Sequence, residues 1–447
     1  MAPAWLDLTA LIGGFAAPSH GGAFSWCDLG CGQGVTVAAL AASYPDGQFH
    51  GIDALGDHIA HARRLASATS IGNAVFHQAD FRAAADLGLP RFDYIVAHGV
   101  YSWVGPSARR DLRDFVDRHL KPGGLFYVSY NALPGRIMDL PFQRLVRMLG
   151  ESGSGDSAER VADALSFCGR LLALGAPALA LSPMARDMSG GRQSHGARYL
   201  AHELMGADWM PMGVAEVRAD MATIGLVPAG SAVIAENFDF YMLGKRARRL
   251  LAGIAEPDLR ETVRDVLINR SFRRDVFIRE GRSLDRRDQR RGLFDQQFAL
   301  GPPSSARRFQ MQTPAGLVTF DNPVVRALLK ALRGGPVRLA ELRLGEVSKG
   351  DLLASALVLA AAGSIMPVGR GGGAVATFNR EILARLEGPD ETRVLVLPSG
   401  GATRVPRKVL LHLRDGAPKL ASAWSVFLGA HAPGLIAPAQ EPLAQYR

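Results

Sequence analysis

The feature that most constrains the fold is a regular alternation of short apolar runs and helix-length stretches over the first 130 residues. The apolar runs are predicted strands, at residues 25–29, 48–53, 74–81, 92–98 and 124–131. Predicted helices separate them, at residues 35–43, 56–66 and 107–119. Each connection is too long for a hairpin, so the strands are joined by crossovers over the sheet. The pattern therefore predicts an α/β fold with a parallel sheet covered by helices.

A glycine-rich loop follows the first predicted strand, in the stretch WCDLGCGQG at residues 26–34. Gly30, Gly32 and Gly34 stand between that strand and a helix starting at Val35, where open φ values and close approach of a ligand require glycine. The dinucleotide fingerprint G-x-G-x-x-G fails, because Val35 takes the place of its third glycine. The loop predicts a nucleotide-containing cofactor other than NAD.

Three acidic residues, Asp28, Asp53 and Asp80, stand at the ends of three successive predicted strands. Asp28 would repel a pyrophosphate but suits the cationic amino-acid end of S-adenosylmethionine. Asp53 is placed for hydrogen bonds to ribose hydroxyls, Asp80 can accept from the adenine amino group, and Phe81 can pack on the ring. Each acid alone could be a turn residue or a helix cap. Together, at one edge of the sheet, they favour S-adenosylmethionine over NAD.

The fourth predicted strand ends in HGVYSW, residues 98–103. In an enzyme that uses S-adenosylmethionine as a methyl donor, the methyl acceptor would bind at this strand end. The stretch lacks the Pro-Pro-aromatic sequence of enzymes that methylate base amino groups and the Pro-Cys nucleophile of cytosine C5 enzymes. Aromatic walls from Tyr101 and Trp103 suit an alkyl amine and lower its pKa by desolvation. His98, with an expected pKa near neutrality, could accept its proton. The alternatives are that His98 caps the strand and that Trp103 only packs.

The fifth predicted strand ends in a second pair of candidate catalytic residues, Tyr130 and Asn131. The phenol oxygen and the amide carbonyl could orient an amine, although Asn before Ala-Leu-Pro-Gly is also good turn chemistry. A lid over the site is expected further along the chain, from Tyr199, His202, Glu203 and Trp209. The stretch HELMG lacks the second histidine of a zinc motif, and no metal site is predicted.

These stretches resemble a known family. FSWCDLGCGQG, GIDALGDHIAHARRLA, FDYIVAHGVYSWV and VSYNALPGR are similar to bacterial class I S-adenosylmethionine-dependent methyltransferases that carry a methyltransferase regulatory domain. The likeness continues over residues 197–239 and 269–279 and is faint in the C-terminal third. The family includes lysine methyltransferases acting on bacterial outer-membrane proteins. The resemblance implies a seven-stranded Rossmann-like sheet and cofactor binding by the glycines, the three acids and Phe81.

Composition changes divide the chain into four predicted parts. They are a cofactor-binding core at 1–135, a helical insertion or regulatory region with the closing strands of the sheet at 136–245, a helical Arg-rich connector at 246–302, and a winged-helix-like α+β domain at 303–447. The segments VAEVRADMATIG, LVPAGSAVI and NFDFYML are expected to supply the closing helix and two strands. An independent regulatory domain over residues 136–212 is the competing description.

The net charge is +9, but residues 1–150 hold twelve basic and twelve acidic side chains, so the excess lies downstream. It is densest at residues 270–291, with nine arginines and four acids, a mixture more typical of solvated helix faces than of a nucleic-acid groove.

Three cysteines cannot build a disulfide framework, and no signal peptide or membrane segment is predicted, which favours the cytoplasm. We expect a protein substrate methylated on lysine. A nucleic-acid or small-molecule methyltransferase and a non-catalytic cofactor sensor remain alternatives.

Overall fold

The structure is a computed structural model. It describes residues 1–18, 23–189, 200, 203–302, 309–369, 371–372, 374–385, 393–397 and 401–414. Tyr199 and His202 of the predicted lid lie outside the described residues.

A seven-stranded sheet forms the centre of the N-terminal half, in the order β3-β2-β1-β4-β5-β7-β6. Its strands are β1 (Phe24–Leu29), β2 (Gly47–Asp53), β3 (Ala74–Gln78), β4 (Phe92–Ala97), β5 (Leu120–Asn131), β6 (Leu226–Ser231) and β7 (Phe272–Arg279). Strands β1 to β5 are parallel, and β7 runs antiparallel between β5 and β6. The strand order reverses between β1 and β4, the place where open α/β sheets bind ligands.

Helices cover both faces of this sheet, as the alternation of apolar runs predicts. They are α1 (Pro3–Ile12), α2 (Val35–Ser43), α3 (Gly56–Ala68), α4 (Phe81–Ala84), α5 (Pro106–His119) and, after an insertion, α10 (Val214–Ala222). Alternate residues of the strands point to opposite faces. One apolar cluster therefore contains Phe126 and Val128, and the other contains Leu125 and Tyr127.

The predicted seventh strand, NFDFYML, is wrong. These residues form the end of a 3-10 helix (Ile234–Asn237) and the short helix α11 (Asp239–Met242). The side-chain amide of Asn237 bonds back to both backbone groups of Ser231, which turns the chain immediately after β6. The seventh strand is instead FRRDVFIR, inside the predicted helical connector, where buried charged residues hide its strand pattern.

A helical insertion follows β5 and packs on its own apolar cluster. The helices are α6 (Leu140–Ser152), α7 (Ser157–Ala173), α8 (Pro177–Ala180) and α9 (Pro183–Ser189). Trp103 of the β4 tip and Trp209 belong to this cluster, so the insertion lies against the end of the sheet where the acceptor is expected. The segment from Trp209 to Met212 then returns along the ends of β4 and β5.

The later elements are α12 (Lys245–Ala252), α13 (Pro257–Leu267), α14 (Arg286–Asp295), β8 (Gln297–Leu300), β9 (Gln310–Thr313), β10 (Gly316–Thr319), α15 (Pro323–Leu332), β11 (Val337–Arg338), α16 (Lys349–Ala361), β12 (Ile365–Pro367), α17 (Val375–Ala384), β13 (Val394–Leu397), β14 (Gly401–Arg404) and α18 (Arg407–Arg414). Helix α15, β11, α16 and β12 follow one another in the region where the sequence predicts a winged-helix-like domain. The middle strand of their sheet, β8, precedes them in the chain. Within the described ranges, no helix is long and apolar enough to cross a membrane.

Candidate active site at the carboxyl edge of the sheet

The glycine loop between β1 and α2 forms an open cradle. Gly30, Gly32 and Gly34 all have positive φ, at 76°, 54° and 75°. A side chain on Gly34 would overlap Ala62 and the ring of Phe76, so only glycine fits there. Nothing lies within 4 Å of the position that a Cβ of Gly32 would take, so the loop backbone faces free space at that point. The cradle is thus shaped for a ligand that approaches the backbone.

Asp28 lies buried at the end of β1, with 4% of its surface exposed. Among the described residues, none donates a hydrogen bond to its carboxyl group. Burial, and next the negative charge of Asp53, raise the pKa of Asp28 to about 8. An unpaired buried carboxyl needs a cation to become stable in its charged form, and the ammonium group of S-adenosylmethionine would supply one.

The carboxylates of Asp53 and Asp80 lie at the edge of the cradle, and both also accept hydrogen bonds from backbone N–H groups. The carboxylate of Asp53 accepts from the Gly32 N–H at 2.9 Å and from the Leu55 N–H at 2.9 Å. His58 Nδ1 also lies 3.2 Å from Oδ1 of Asp53, so Asp53 fixes the loop and keeps a lone pair on Oδ2 for a ribose hydroxyl. Asp80 caps α4, because its carboxylate accepts from the Ala83 N–H at 2.8 Å; this is the helix-cap role that the sequence left open. The other carboxylate oxygen of Asp80 stays available to a ligand. Phe81 packs partly buried beside it.

His98 stands at the tip of β4 within a cluster that the sequence only partly indicates. Its Nδ1 lies 2.9 Å from the Tyr127 hydroxyl and 3.0 Å from the Ser129 hydroxyl. The ring also meets Phe272 edge-on, with centroids 6.4 Å apart, and the Arg274 guanidinium lies over Phe272. These contacts fix the ring while leaving the side chain accessible.

The expectation that His98 titrates near neutrality is wrong. Desolvation, with further contributions from the positive charges of the N-terminal amino group and of Arg274, lowers its pKa to about 4. The side chain is accessible, but Tyr127, Ser129 and Phe272 surround it and form the walls of a recess. The charged form of the imidazole is therefore poorly solvated. The imidazole is therefore neutral at physiological pH, and it can accept a hydrogen bond without keeping a proton.

Tyr101 and Tyr130 do not face the recess. Both are completely buried, and each donates its hydroxyl to a carboxylate 2.6 Å away, Tyr101 to Asp220 of α10 and Tyr130 to Asp275 of β7. Burial and these carboxylates raise the pKa of both phenols, so they stay protonated. The predictions that Tyr101 forms an aromatic wall of the acceptor site and that Tyr130 orients the acceptor therefore lack geometric support, because both rings are buried and both hydroxyls are engaged.

The sequence missed Tyr127, Ser129, Phe272 and Arg274. The alternation of side chains along β5 could have indicated Tyr127 and Ser129, because neighbouring residues such as Tyr130 and Asn131 must point to opposite faces of the sheet. Asn131 shares its face with Tyr127 and Ser129. No similar signal marks Phe272 and Arg274, since β7 was predicted as part of a helical connector.

Two family models match the chain. The model of a methyltransferase domain covers residues 27–126, and that of a predicted methyltransferase regulatory domain covers residues 196–279. An uncharacterized protein of Synechocystis is 32% identical over 355 residues, which span 79% of this chain and 70% of that protein. The chain belongs to the class I methyltransferases with a regulatory domain. It is an S-adenosylmethionine-dependent enzyme, and the predictions of family, fold and cofactor are confirmed.

Two further relatives place this methyltransferase among known proteins. PKMT2 from Rickettsia typhi, in complex with AdoHcy, has the same fold, with a TM-score of 0.68 and 20% identity over 92% of this chain and 86% of that chain. A trans-aconitate 2-methyltransferase of Azoarcus is 32% identical over 120 residues, which span 27% of this chain and 42% of that enzyme. Both β6 and β7 lie inside the match to the regulatory-domain model, so the regulatory segment completes the catalytic sheet.

The raised pKa of Asp28 gives the methyltransferase a testable pH dependence. Below pH 8 the carboxyl group is protonated in the free enzyme, so binding of the cofactor ammonium requires loss of a proton. We expect the affinity for S-adenosylmethionine to rise about tenfold per pH unit between pH 6 and 7.5. Calorimetric titration checks this, and Asp28→Asn should bind weakly with no such slope. An equal slope in Asp28→Asn would assign the titration to another group.

Proposed function

We propose that the enzyme methylates the side-chain amine of a lysine in a protein substrate, at the tip of β4. The observation that carries the proposal is the neutral His98, held by Tyr127 and Ser129 beside the cofactor cradle. The family resemblance supports it, because the family includes lysine methyltransferases. Residues Asp28, Gly30, Gly32, Gly34, Asp53, Asp80 and Phe81 are proposed to hold the cofactor.

The recess suits an amine that must react in its neutral form. A lysine with an ordinary pKa of about 10.4 is mostly charged at neutral pH. Desolvation and the positive charges of the N-terminal amino group and Arg274 lower the pKa of His98, and they would lower the pKa of an incoming lysine in the same way. The amine therefore loses its proton to water more readily on entering the recess.

His98 then aligns the neutral amine. Its Nδ1 can donate to the oxygen of Tyr127 or Ser129, which leaves Nε2 to accept an N–H of the amine. S-adenosylmethionine, when bound, supplies a methyl group on a sulfonium. The amine lone pair would form the new N–C bond as the C–S bond of the cofactor breaks, and the insertion, which packs on Trp103 at the end of the sheet, would keep water out. The surplus proton of the methylated amine goes to solvent, because an imidazole with a pKa of about 4 does not retain it.

His98→Ala should lower kcat by about thirtyfold, because alignment is lost, while the cofactor affinity changes by less than about twofold. Tyr127→Phe should have a smaller effect in the same direction, since Ser129 still holds the ring. Initial rates at saturating cofactor, with binding measured separately, check both. His77→Ala on β3 is the matched control and should keep full activity. Unchanged rates in His98→Ala would remove the β4 tip from the site.

Two arginines of the arginine-rich stretch are engaged inside the protein and are not available to a nucleic-acid substrate. Arg273 is buried and Arg270 is partly buried, and both are paired with acidic residues. The proposal is tested with methyl-labelled cofactor and a lysate of cells from which the gene has been deleted. We expect label that protease releases and nuclease leaves intact. Label that only nuclease releases, or label only in small molecules, would overturn the proposal.

A further inference from the structure

Three side chains near the recess carry buried N–H groups that lack a hydrogen-bond partner in the part of the chain that the structure describes: Trp103, Asn131 and Trp209. Asn131 is 1% exposed and Trp209 is 4% exposed, and Trp103 is partly buried. The carboxamide oxygen of Asn131 also has no partner among these residues. Because more than nine in ten buried polar groups in proteins are paired, three unpaired donors in one region indicate a ligand that supplies the acceptors.

Hydrogen bonds through Ser102 and Asn131 join the three segments that carry these donors. The hydroxyl of Ser102 accepts from the Asn131 N–H at 2.9 Å, and its carbonyl accepts from the Met210 N–H at 2.8 Å. The Asn131 carbonyl accepts from the Met212 N–H at 2.9 Å. Trp103 follows Ser102 and Trp209 precedes Met210, so the segments that carry the three donors meet in one patch at the ends of β4 and β5. Trp209 comes from the regulatory-domain segment.

We infer that this patch is a subsite for the main-chain carbonyl oxygens of the polypeptide on either side of the target lysine. The inference rests on the proposed function and adds how the substrate chain is recognised. Indole and carboxamide N–H groups are neutral donors, and main-chain carbonyls are neutral acceptors that need no counter-charge when buried. A buried carboxylate would need a cation beside it, which these three donors do not provide. The regulatory segment thereby contributes a wall of the substrate site.

The test replaces each unpaired indole by phenylalanine, which keeps an aromatic ring and removes the N–H. Trp103→Phe and Trp209→Phe should each label lysate protein about tenfold more slowly at limiting substrate, the loss expected for one hydrogen bond. Their affinity for S-adenosylmethionine and their melting temperature should stay close to those of the wild type. Trp5→Phe is the matched control, because the Trp5 indole already donates to the Ala232 carbonyl at 2.5 Å. It should melt at a lower temperature and label at the normal rate.

The possible outcomes separate the two ideas. If the wild-type enzyme labels no protein, the proposed function and the subsite both fail. If it labels protein and both indole variants label protein as fast as the wild type does, the subsite alone is wrong. If a variant loses cofactor affinity or melting temperature together with activity, its indole is structural, and this also overturns the subsite. A selective loss of protein labelling supports it.

Discussion

Replacing Asp53 with alanine is expected to weaken the binding of S-adenosylmethionine by about a thousandfold, through the loss of a charged hydrogen bond to the ribose together with the loosening of the loop. The carboxylate of Asp53 also holds the Gly32 and Leu55 N–H groups, so its removal loosens the loop that shapes the cradle. The fold should survive, since Asp53 is at the end of β2, outside the apolar clusters. Calorimetric titration with the cofactor and with its demethylated product measures the effect.

Asp57→Ala is the control for this variant, because Asp57 is an exposed residue in the first turn of the next helix, α3. It should bind the cofactor as the wild type does. Cofactor binding within about threefold of normal in Asp53→Ala, with a normal melting curve, would contradict the assignment of the ribose site to β2.

Arg273→Leu should lower the free energy of unfolding by about 3–5 kcal/mol, because it leaves buried carboxylates without their partner. Arg273 on β7 bonds both oxygens of Asp265 at 2.7 Å and Asp275 at 2.9 Å, and all three side chains are nearly inaccessible. Asp275 in turn holds the hydroxyl of Tyr130. Urea unfolding measures the loss. Arg248→Leu, the same change at an exposed site of α12, should alter the free energy by less than about 0.5 kcal/mol.

The same network makes stability depend on acid pH. Burial alone would raise the pKa of Glu261, but the charges of Arg273, Arg264 and Arg218 lower it to about 2. A lowered folded-state pKa contributes stability that is complete above pH 4.5, the ordinary value, and is lost as the pH falls towards 2. The wild type should therefore lose stability over this interval more steeply than Arg273→Leu does. Parallel curves would show that the network does not couple to Glu261.

Much of the cofactor half was predictable because local chemistry decides it. The strands that carry Asp28 and Asp53 have buried, apolar sequences, and the positive φ of the loop requires glycine between strand and helix. Neither signal depends on distant parts of the chain. The roles of the three acids stay predictions, although the open cradle and the unpaired Asp28 fit them.

The acceptor half was predicted less well because distant contacts decide it. The alternation of buried residues that marks β7 as a strand includes Arg273 and Asp275, which are buried together with acidic residues of α13. Nothing in the local sequence indicates that these charged side chains are buried. Tyr101 and Tyr130 were expected at an open edge. Asp220 and Asp275, more than a hundred residues away in the chain, hold them instead. The pKa of His98 depends on burial, on the N-terminal amino group and on Arg274, which belongs to the missed strand.

The most direct test of the account is to identify the methylated atom. A lysate protein labelled by the wild-type enzyme is hydrolysed in strong acid, and the amino acids are separated. We predict that the label is recovered as lysine methylated on its side-chain nitrogen, and that it resists mild base. Label released by mild base as methanol would instead show a carboxyl methyl ester, and it would contradict a recess that selects a neutral amine at His98.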